Sequence, residues 1–161
     1  MIQLARASKK PILIAVLLAI AVGGIGGAAT EIGPWYANLI KPWWQPPDWA
    51  FGPVWTLIYI TTGIAGVRAW RLADDVQRKV FLAAILINCL LNMLWSVLFF
   101  SLHRPDLALM EVTVLWLSVL VLTWLPRSYS PRSSVLMLPY LVWVSIAAYL
   151  NLTIVRLNPP V

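Results

Sequence analysis

The stretch 80–102, VFLAAILINCLLNMLWSVLFFSL, decides the fold class of this chain because it carries no charged residue over the full length that a membrane helix needs. About 20 mostly apolar residues are enough for a helix to cross the hydrocarbon core of a bilayer. Four further apolar stretches surround it, and each is bounded by charged residues or proline. The sequence therefore predicts five membrane helices, at residues 12–30, 49–67, 80–102, 107–125 and 135–155.

The composition agrees with this prediction. Of the 161 residues, 61% are hydrophobic and 11% are charged, whereas soluble domains carry about 25% charged residues. A soluble fold of this size leaves too much surface in water to hide so many apolar side chains. We expect an all-α membrane protein, a five-transmembrane-helix bundle that forms a single domain over residues 1–161, with a Trp/Pro-rich loop between helices 1 and 2.

The first stretch has an alternative interpretation. Arg6, Lys9 and Lys10, followed by an apolar run and the small residues 26–29, also describe a secretory signal peptide. The apolar run is long for a signal peptide, and no soluble domain follows it. We therefore favour a membrane helix that is retained.

Charge placement predicts the orientation and argues against nucleic-acid binding. The net charge is +6, but the basic residues lie in short clusters between the apolar stretches, as in cytoplasmic loops. One side of the predicted bundle carries Arg6, Lys9, Lys10, Arg68, Arg71, Arg78, Lys79, Arg127 and Arg132. The other side carries Lys41, Arg104 and Arg156. The bias predicts a multi-pass protein of a bacterial-type inner membrane, with a cytoplasmic N-terminus.

The connection 31–48, EIGPWYANLIKPWWQPPD, combines several prolines with several tryptophans. Frequent proline excludes a long regular helix, although residues 35–40 have room for a turn or two. Because the segment is so aromatic, we expect it to fold back over the bundle as a lid. The candidate lid residues are Trp35, Tyr36, Pro42, Pro46 and Pro47.

The chain has ten tryptophans. An interfacial aromatic belt explains Trp70 and Trp124, which lie near predicted helix ends. It does not explain the group Trp35, Trp43, Trp44, Trp49 and Trp55, because Trp55 lies well inside its helix and Trp43 and Trp44 lie in the loop. A rigid aromatic cluster over a bundle suits a flat, apolar ligand.

Helical spacing places further side chains on shared faces. The second helix carries Trp55, Tyr59, Thr62 and Gly66 on one face, the third carries Asn88, Asn92 and Ser96, and the fifth carries Tyr140, Trp143, Ala147 and Asn151. Polar groups in lipid must face other helices, because unsatisfied groups are costly there. For Asn88 and Asn92, interhelical hydrogen bonding and pocket lining remain equal alternatives.

Conventional catalytic and metal-binding sets are missing from the sequence. His103 is the single histidine and Cys89 the single cysteine, so we predict no metal site, no resident cofactor and no Ser/His/Asp set. Glu111 is the one carboxylate deep in a predicted helix, where charges are functional candidates. It also lies one turn from Asp106, close enough to the helix end to extend toward water.

Two parts of the sequence carry a family resemblance. The segment 33–47, GPWYANLIKPWWQPP, followed by 51–56, FGPVWT, resembles the signature of the translocator protein family, which includes the bacterial tryptophan-rich sensory proteins and the peripheral benzodiazepine receptors. The third helix (92–96, NMLWS) and the fifth (138–151) are also similar to that family. The resemblance extends over nearly the whole chain.

The resemblance implies a five-helix bundle, often a homodimer. It also implies that the bundle binds protoporphyrin IX or related tetrapyrroles such as haem, and sterol-like or drug-like apolar ligands, beneath the first loop. The implied ligand-binding residues are Trp43, Trp44, Trp55, Tyr59, Asn92, Tyr140, Trp143, Ala147 and Ala148.

Two departures from the family pattern concern selectivity. Leu152 replaces the aromatic residue of the animal sterol motif, and Ala148 replaces a frequent threonine.

These observations leave three functional hypotheses. The leading one is a membrane receptor or sensor for tetrapyrroles, linked to tetrapyrrole homeostasis. The second is an enzyme that degrades protoporphyrin in light, with Trp55 and Trp143 as the candidate catalytic residues. The third is a tetrapyrrole or sterol transporter, in which Glu111 would serve proton coupling.

Overall fold

A computed structural model describes residues 8–158, and this part of the chain contains helices and no strands. Five helices are long and apolar enough to cross a membrane, which confirms the predicted bundle. The helices are α1 (Lys10–Ala29), α2 (Pro34–Asn38), α3 (Asp48–Leu72), α4 (Asp75–Ser96), α5 (Pro105–Trp124) and α6 (Pro131–Leu157). A π-helical turn, Val97–Ser101, continues α4, and a 3-10 turn, Leu125–Ser128, follows α5.

The helices extend beyond the apolar stretches that predicted them. Helix α3 ends at Leu72 rather than at residue 67, because a membrane helix can continue past basic residues such as Arg68 and Arg71, whose long apolar stems pack along it near the interface. Helix α4 begins at Asp75 rather than at residue 80. Its start is fixed by a capping box in which the Asp74 side chain accepts from the Gln77 amide, 2.8 Å away, and the Gln77 side chain accepts from the Asp74 amide.

Helices α5 and α6 form the centre of the bundle, and α3 and α4 pack against them. Helix α1 lies at the periphery, where it contacts α3 and α4. It buries only Pro11, Val22 and Gly26. The large apolar side chains that remain exposed on every long helix form the surface that faces lipid.

Small residues bring α1 close to its neighbours. A Cβ atom on Gly23 would lie 3.3 Å from the Tyr59 ring, and one on Gly26 would lie 3.6 Å from Ser96 Oγ. Gly23 and Gly26 of the segment 23–27, GGIGG, are thus used for close helix packing, as small residues are in membrane proteins, whereas Gly24 and Gly27 have no such neighbour.

Three buried clusters follow one another through the bundle. The loop-side cluster contains Tyr36, Phe99, Ala108, Leu150 and Ile154. The central cluster contains Ile58, Val112, Leu115, Val119, Tyr140, Trp143 and Val144. The third cluster, at the end opposite the loop, contains Ala65, Ala69, Phe81, Leu122 and Met137. The candidate site lies beside the central cluster.

Candidate functional site

A cavity of about 80 Å³ lies between α1, α3 and α4, with the side chain of Tyr140 from α6 at one wall. Most of its lining is apolar. The α1 wall is built from small and aliphatic residues, which are Ala15, Leu18, Ala19 and Val22. The opposite wall is supplied by α3 and α4 and includes Tyr59, Thr62, Gly63, Asn88, Cys89 and Asn92.

A hydrogen-bonded polar row runs along the inner wall of this cavity. Asn92 Nδ2 donates to the Tyr140 hydroxyl, and this hydroxyl donates to Asn88 Oδ1, each over 3.1 Å. Asn88 Nδ2 in turn donates to Ser118 Oγ over 2.8 Å, and Ser118 donates to the Leu115 carbonyl. The row links α4, α5 and α6. The two asparagines therefore both join helices and line the cavity.

One polar atom at the cavity has no such partner. Thr62 Oγ1 is buried and makes no hydrogen bond within the described residues. Thr62 is one turn from Tyr59 on the same face of α3, and both residues line the cavity. An apolar space with a few polar groups on one wall has the character of small-molecule sites, in which the polar groups orient the ligand.

An aromatic row connects this cavity to the loop side of the bundle. Trp55 stacks on Tyr59 with ring centroids 5.7 Å apart, and its ring meets Tyr140 edge to face at 6.1 Å. Phe51, one turn earlier on α3, meets Trp143 edge to face at 5.5 Å. Such offset and edge-to-face pairs are the favoured aromatic geometries. The aromatic faces of α3 and α6 therefore pack directly against each other in the central cluster.

The loop 31–48 covers the loop-side end of the bundle. Helix α2 buries Tyr36, whose ring lies 5.6 Å from that of Phe100. Trp35 stacks on His103, with ring centroids 4.3 Å apart, and meets Phe99 edge to face. These contacts hold the first half of the loop against the π-helical turn at the end of α4.

The second half of the loop is held by α6 and the residue that follows it. The Ile40 amide donates to Asn158 Oδ1 over 2.8 Å, and Asn158 Nδ2 donates back to the Ile40 carbonyl over 2.9 Å. Trp44 stacks on Tyr149 at 5.2 Å. Trp43 points away from the bundle and is 95% exposed. The loop 31–48 therefore folds back against the bundle, and its role as a lid stays a prediction.

The Tyr36 hydroxyl lies at a polar junction inside this loop. It donates to Asp48 Oδ1 over 3.3 Å and accepts from Gln45 Nε2 over 3.2 Å, while Lys41 Nζ lies 3.7 Å above the ring. Burial raises the pKa of Tyr36 from 10.0 to about 12, and the Asp48 carboxylate adds to the rise. The protonated phenol is thus favoured in the folded loop.

We expect the folded loop to lose this stabilisation in strongly alkaline solution. Because the folded-state pKa of Tyr36 lies above its unfolded value, the contribution is complete below about pH 10 and disappears as the pH rises toward about 12. The absorbance of tyrosinate at 295 nm is measured against pH for the native chain and for Tyr36→Phe. The difference between the two curves is the titration curve of Tyr36. A difference curve with its midpoint near the ordinary value of about 10 would contradict the buried junction.

Comparison with known proteins places this architecture in a family. The model of the TspO/MBR family matches residues 15–157. Tryptophan-rich protein TspO of Chlorobaculum tepidum is 39% identical over 148 residues, which cover 88% of this chain and 92% of the relative. Tryptophan-rich sensory protein of Cereibacter sphaeroides is 39% identical over 82% of each chain, and human translocator protein is 31% identical over 77% of this chain and 75% of its own.

The chain belongs to the TspO/MBR family. It is accordingly a multi-pass integral membrane protein, in agreement with its five membrane helices. The resemblance that the loop motif indicated is confirmed over most of the chain.

In this TspO/MBR protein the predicted ligand-binding residues fall into three groups. Tyr59, Asn92 and Tyr140 line the cavity, and Trp55 contacts two of them. Trp143 is 9% exposed and packs in the central cluster, with Ala148 against its edge. The remaining three, Trp43, Trp44 and Ala147, are not among the residues that line the cavity.

The sequence did not predict two features of the site, which are the α1 wall of the cavity and the hydrogen bond that links Asn88 to Ser118 behind it. The α1 wall, Ala15 to Val22, carries no polar or aromatic residue that would distinguish it from a lipid-facing helix. Ser118, which continues the polar row into α5, was a single hydroxyl in an apolar stretch. Its spacing from Leu115, Val119 and Leu122, which are buried, was the one available signal.

The side chains of Glu111 and Asn151 are both buried between helices of the TspO/MBR bundle. Glu111 does not extend toward water, because it is 8% exposed and neither carboxylate oxygen has a hydrogen-bond partner within the described residues. Asn151 Nδ2 donates to the Pro105 carbonyl, and Asn151 Oδ1 accepts from Trp95 Nε1. Asn151 therefore joins α6 to the start of α5 and to α4 rather than lining the cavity.

Proposed function

We propose that this protein is a membrane receptor that binds protoporphyrin IX, or a related flat and apolar tetrapyrrole, in the space between α1, α3 and α4. The observation that carries the proposal is the polar row of Asn88, Asn92 and Tyr140 along one wall of an otherwise apolar cavity. The aromatic rings of Trp55 and Tyr59 beside it offer stacking surfaces for a macrocycle.

The size of the cavity determines how such a ligand would enter. Sites for small molecules enclose about 300–1,000 Å³, whereas this cavity has about 80 Å³. A tetrapyrrole must therefore separate the walls. Helix α1 is the wall that moves at least cost, since it lies at the periphery and buries three residues. Binding is then coupled to displacement of α1, and a ligand-dependent change of shape is what a sensor requires.

The orientation and assembly belong to the same proposal. Eight described basic residues share one end of the bundle, which are Lys9, Lys10, Arg68, Arg71, Arg78, Lys79, Arg127 and Arg132. By the positive-inside rule this end faces the cytoplasm of a bacterial inner membrane. Arg6, which also entered the prediction, lies outside the described residues. The homodimer implied by the family resemblance stays a prediction.

A dark titration of protoporphyrin IX tests the receptor. Removing the stacking surface by Trp55→Leu with Tyr59→Leu is expected to weaken binding about tenfold, because each aromatic contact contributes about 0.5–1.5 kcal/mol beyond the area it buries. The shift of the Soret band in detergent-solubilised protein reports binding without relying on tryptophan fluorescence.

The matched control is Trp124→Leu. Trp124 lies at the end of α5, is 64% exposed and has Arg127 above its ring. This variant should bind porphyrin like the native chain. If the double variant at α3 also binds like the native chain, or if the native chain shows no saturable shift, the proposed tetrapyrrole site is wrong.

A second candidate function, light-dependent breakdown of the bound porphyrin, is favoured by one observation. Trp55 contacts both Tyr59 and Tyr140, so a readily oxidised indole is linked to two phenols at the cavity wall. In this reaction dioxygen is the oxidant. Illumination of the complex should then bleach the porphyrin faster than illumination of free porphyrin, and Trp55→Phe should slow the bleaching. Equal rates with and without protein would exclude it.

A further inference from the structure

An open groove of about 860 Å³ runs along the outer side of α1 and α3, toward the end of the bundle opposite the loop. Its walls are aliphatic and are formed by Ile12, Val16 and Ile20 of α1 and by Ile60, Ile64 and Val67 of α3. Gly63 deepens it, since a Cβ atom there would meet nothing within 4 Å. Arg68 and Arg71 close one end.

The two arginines at the end of the groove lack partners in the described residues. Arg68 Nε and Arg71 Nε are both buried and form no hydrogen bond. Neither side chain takes part in the two ion pairs of the described chain, which are Arg78–Asp75 and Arg104–Asp106. Both side chains are half-buried and carry a charge that no carboxylate of the described residues balances, and an anion bound by the two guanidinium groups would balance it.

The protein itself supplies no such anion at this end of the bundle. Asp74 and Asp75 are the two acidic residues there, against eight basic ones. Asp74 caps α4 through the Gln77 amide, and Asp75 is bound to Arg78. Residues 1–7, MIQLARA, contain one arginine and no acidic residue, so their charge does not complement the groove. A second copy of the chain has the same deficit.

We propose that this groove binds one anionic phospholipid, with its acyl chains against α1 and α3 and its phosphate on Arg68 and Arg71. An aliphatic groove on the lipid-facing side, ending in two unpaired guanidinium groups at the level of the interface, matches both parts of that molecule. Basic pockets beside membrane helices recognise lipid headgroups in this way. Ala15, Ala19, Tyr59 and Gly63 line both the groove and the cavity, but the two arginines and the aliphatic residues that would hold the lipid lie outside the cavity lining. The lipid site therefore lies next to the proposed tetrapyrrole site and can be tested without it.

Native mass spectrometry of the delipidated full chain, with lipids added one at a time, tests the proposal. Phosphatidylglycerol is expected to give one tight adduct, and phosphatidylcholine with the same acyl chains only weak ones. Arg68→Gln with Arg71→Gln should weaken phosphatidylglycerol binding about tenfold or more. Lys79→Gln with Arg132→Gln removes the same charge from exposed positions at the same end and should leave the affinity within about twofold of the native value.

A second variant tests the acyl-chain half of the site and keeps both arginines. Val67→Trp places an indole in the groove beside Arg68, so phosphatidylglycerol binding should fall although the charge is unchanged. Normal lipid binding by Val67→Trp would overturn the proposed position of the chains. Far-UV circular dichroism shows whether each variant retains its helices.

Three further outcomes would also overturn the proposal. Equal losses in the two double variants would mean that lipid responds to overall surface charge. Glycerol phosphate that binds as tightly as phosphatidylglycerol would mean a free-anion site. The native chain could also form a dimer that binds no lipid and that dissociates in the double variant Arg68→Gln with Arg71→Gln. The groove would then be an interface between two copies of the chain. None of these depends on porphyrin, so failure here leaves the receptor proposal untouched.

Discussion

Gly63→Leu should lower the affinity for protoporphyrin IX by about tenfold or more without weakening the fold. Gly63 lines the cavity between α1, α3 and α4, and a Cβ atom there meets open space. A leucine side chain therefore starts from open space and would occupy volume that the ligand needs. A tenfold loss corresponds to about 1.4 kcal/mol. The Soret titration proposed above measures it.

Gly52→Leu is a close control for this substitution. Gly52 lies in the same helix, is exposed, and likewise has nothing within 4 Å of an added Cβ atom. Replacing glycine inside a helix by leucine favours the helix by about 0.5–1 kcal/mol, so both variants should be at least as stable as the native chain. Loss of binding in Gly63→Leu alone then reflects occupied space. Equal porphyrin affinities in the two variants would mean that the ligand does not use the cavity.

Gly63 lines both the cavity and the groove, so Gly63→Leu alone does not show which of the two holds the porphyrin. Val67→Trp distinguishes them. Val67 lines the groove and is absent from the cavity lining. Its replacement should lower lipid binding and leave porphyrin binding unchanged. If porphyrin binding falls instead, the tetrapyrrole lies in the groove.

The membrane helices were predictable because lipid imposes a simple requirement on sequence. Every spanning segment needs about 20 apolar residues, and such stretches are visible without any tertiary information. The ends were harder to predict, because α3 continues past Arg68 and Arg71 and the start of α4 depends on the hydrogen bonds between Asp74 and Gln77. A hydropathy profile does not show how far a helix continues past an arginine, and it does not show a capping box.

The inward faces of the helices were also predictable, while the position of the cavity was not. Spacing of three and four residues placed Asn88, Asn92, Tyr59 and Tyr140 toward the interior, and all four meet there. The same spacing selected Trp143, which packs in the central cluster. Periodicity identifies which side chains face other helices, but a gap between helices depends on the sizes of residues from several segments at once.

The contact between the loop and α4 depends on backbone geometry that periodicity does not encode. The turn Val97–Ser101 is π-helical, with the Leu102 amide donating to the Val97 carbonyl over 2.9 Å. It is followed by His103, whose φ of 54° is left-handed. Together they present the rings of Phe99 and Phe100 to the loop. Single π-helical turns are frequent at functional sites and are not visible in an apolar pattern.

Phe81→Ala is expected to cause the largest loss of stability, about 2–3 kcal/mol. Phe81 is 1% exposed and packs against Ala65 and Ala69 of α3 and against Leu122 and Met137. In soluble proteins such a substitution costs about 3–5 kcal/mol. Part of that cost is transfer of the ring from water, which is small here because lipid tails are as apolar as the protein interior. The cost of the cavity and of the lost dispersion contacts remains, since α3 is held in place by α6 and α4 by α5.

Leu90→Ala is the control that distinguishes the effect of lost packing from the effect of lost apolar area on the free energy of unfolding. Leu90 lies on the same helix and is 62% exposed, so it faces lipid, which refills the space of a deleted side chain. We expect its loss to cost less than about 0.5 kcal/mol. Reversible unfolding in mixed dodecyl maltoside and dodecyl sulfate, followed by far-UV circular dichroism, measures both variants. If the two variants lose similar amounts of unfolding free energy, apolar area rather than close packing around Phe81 stabilises this bundle.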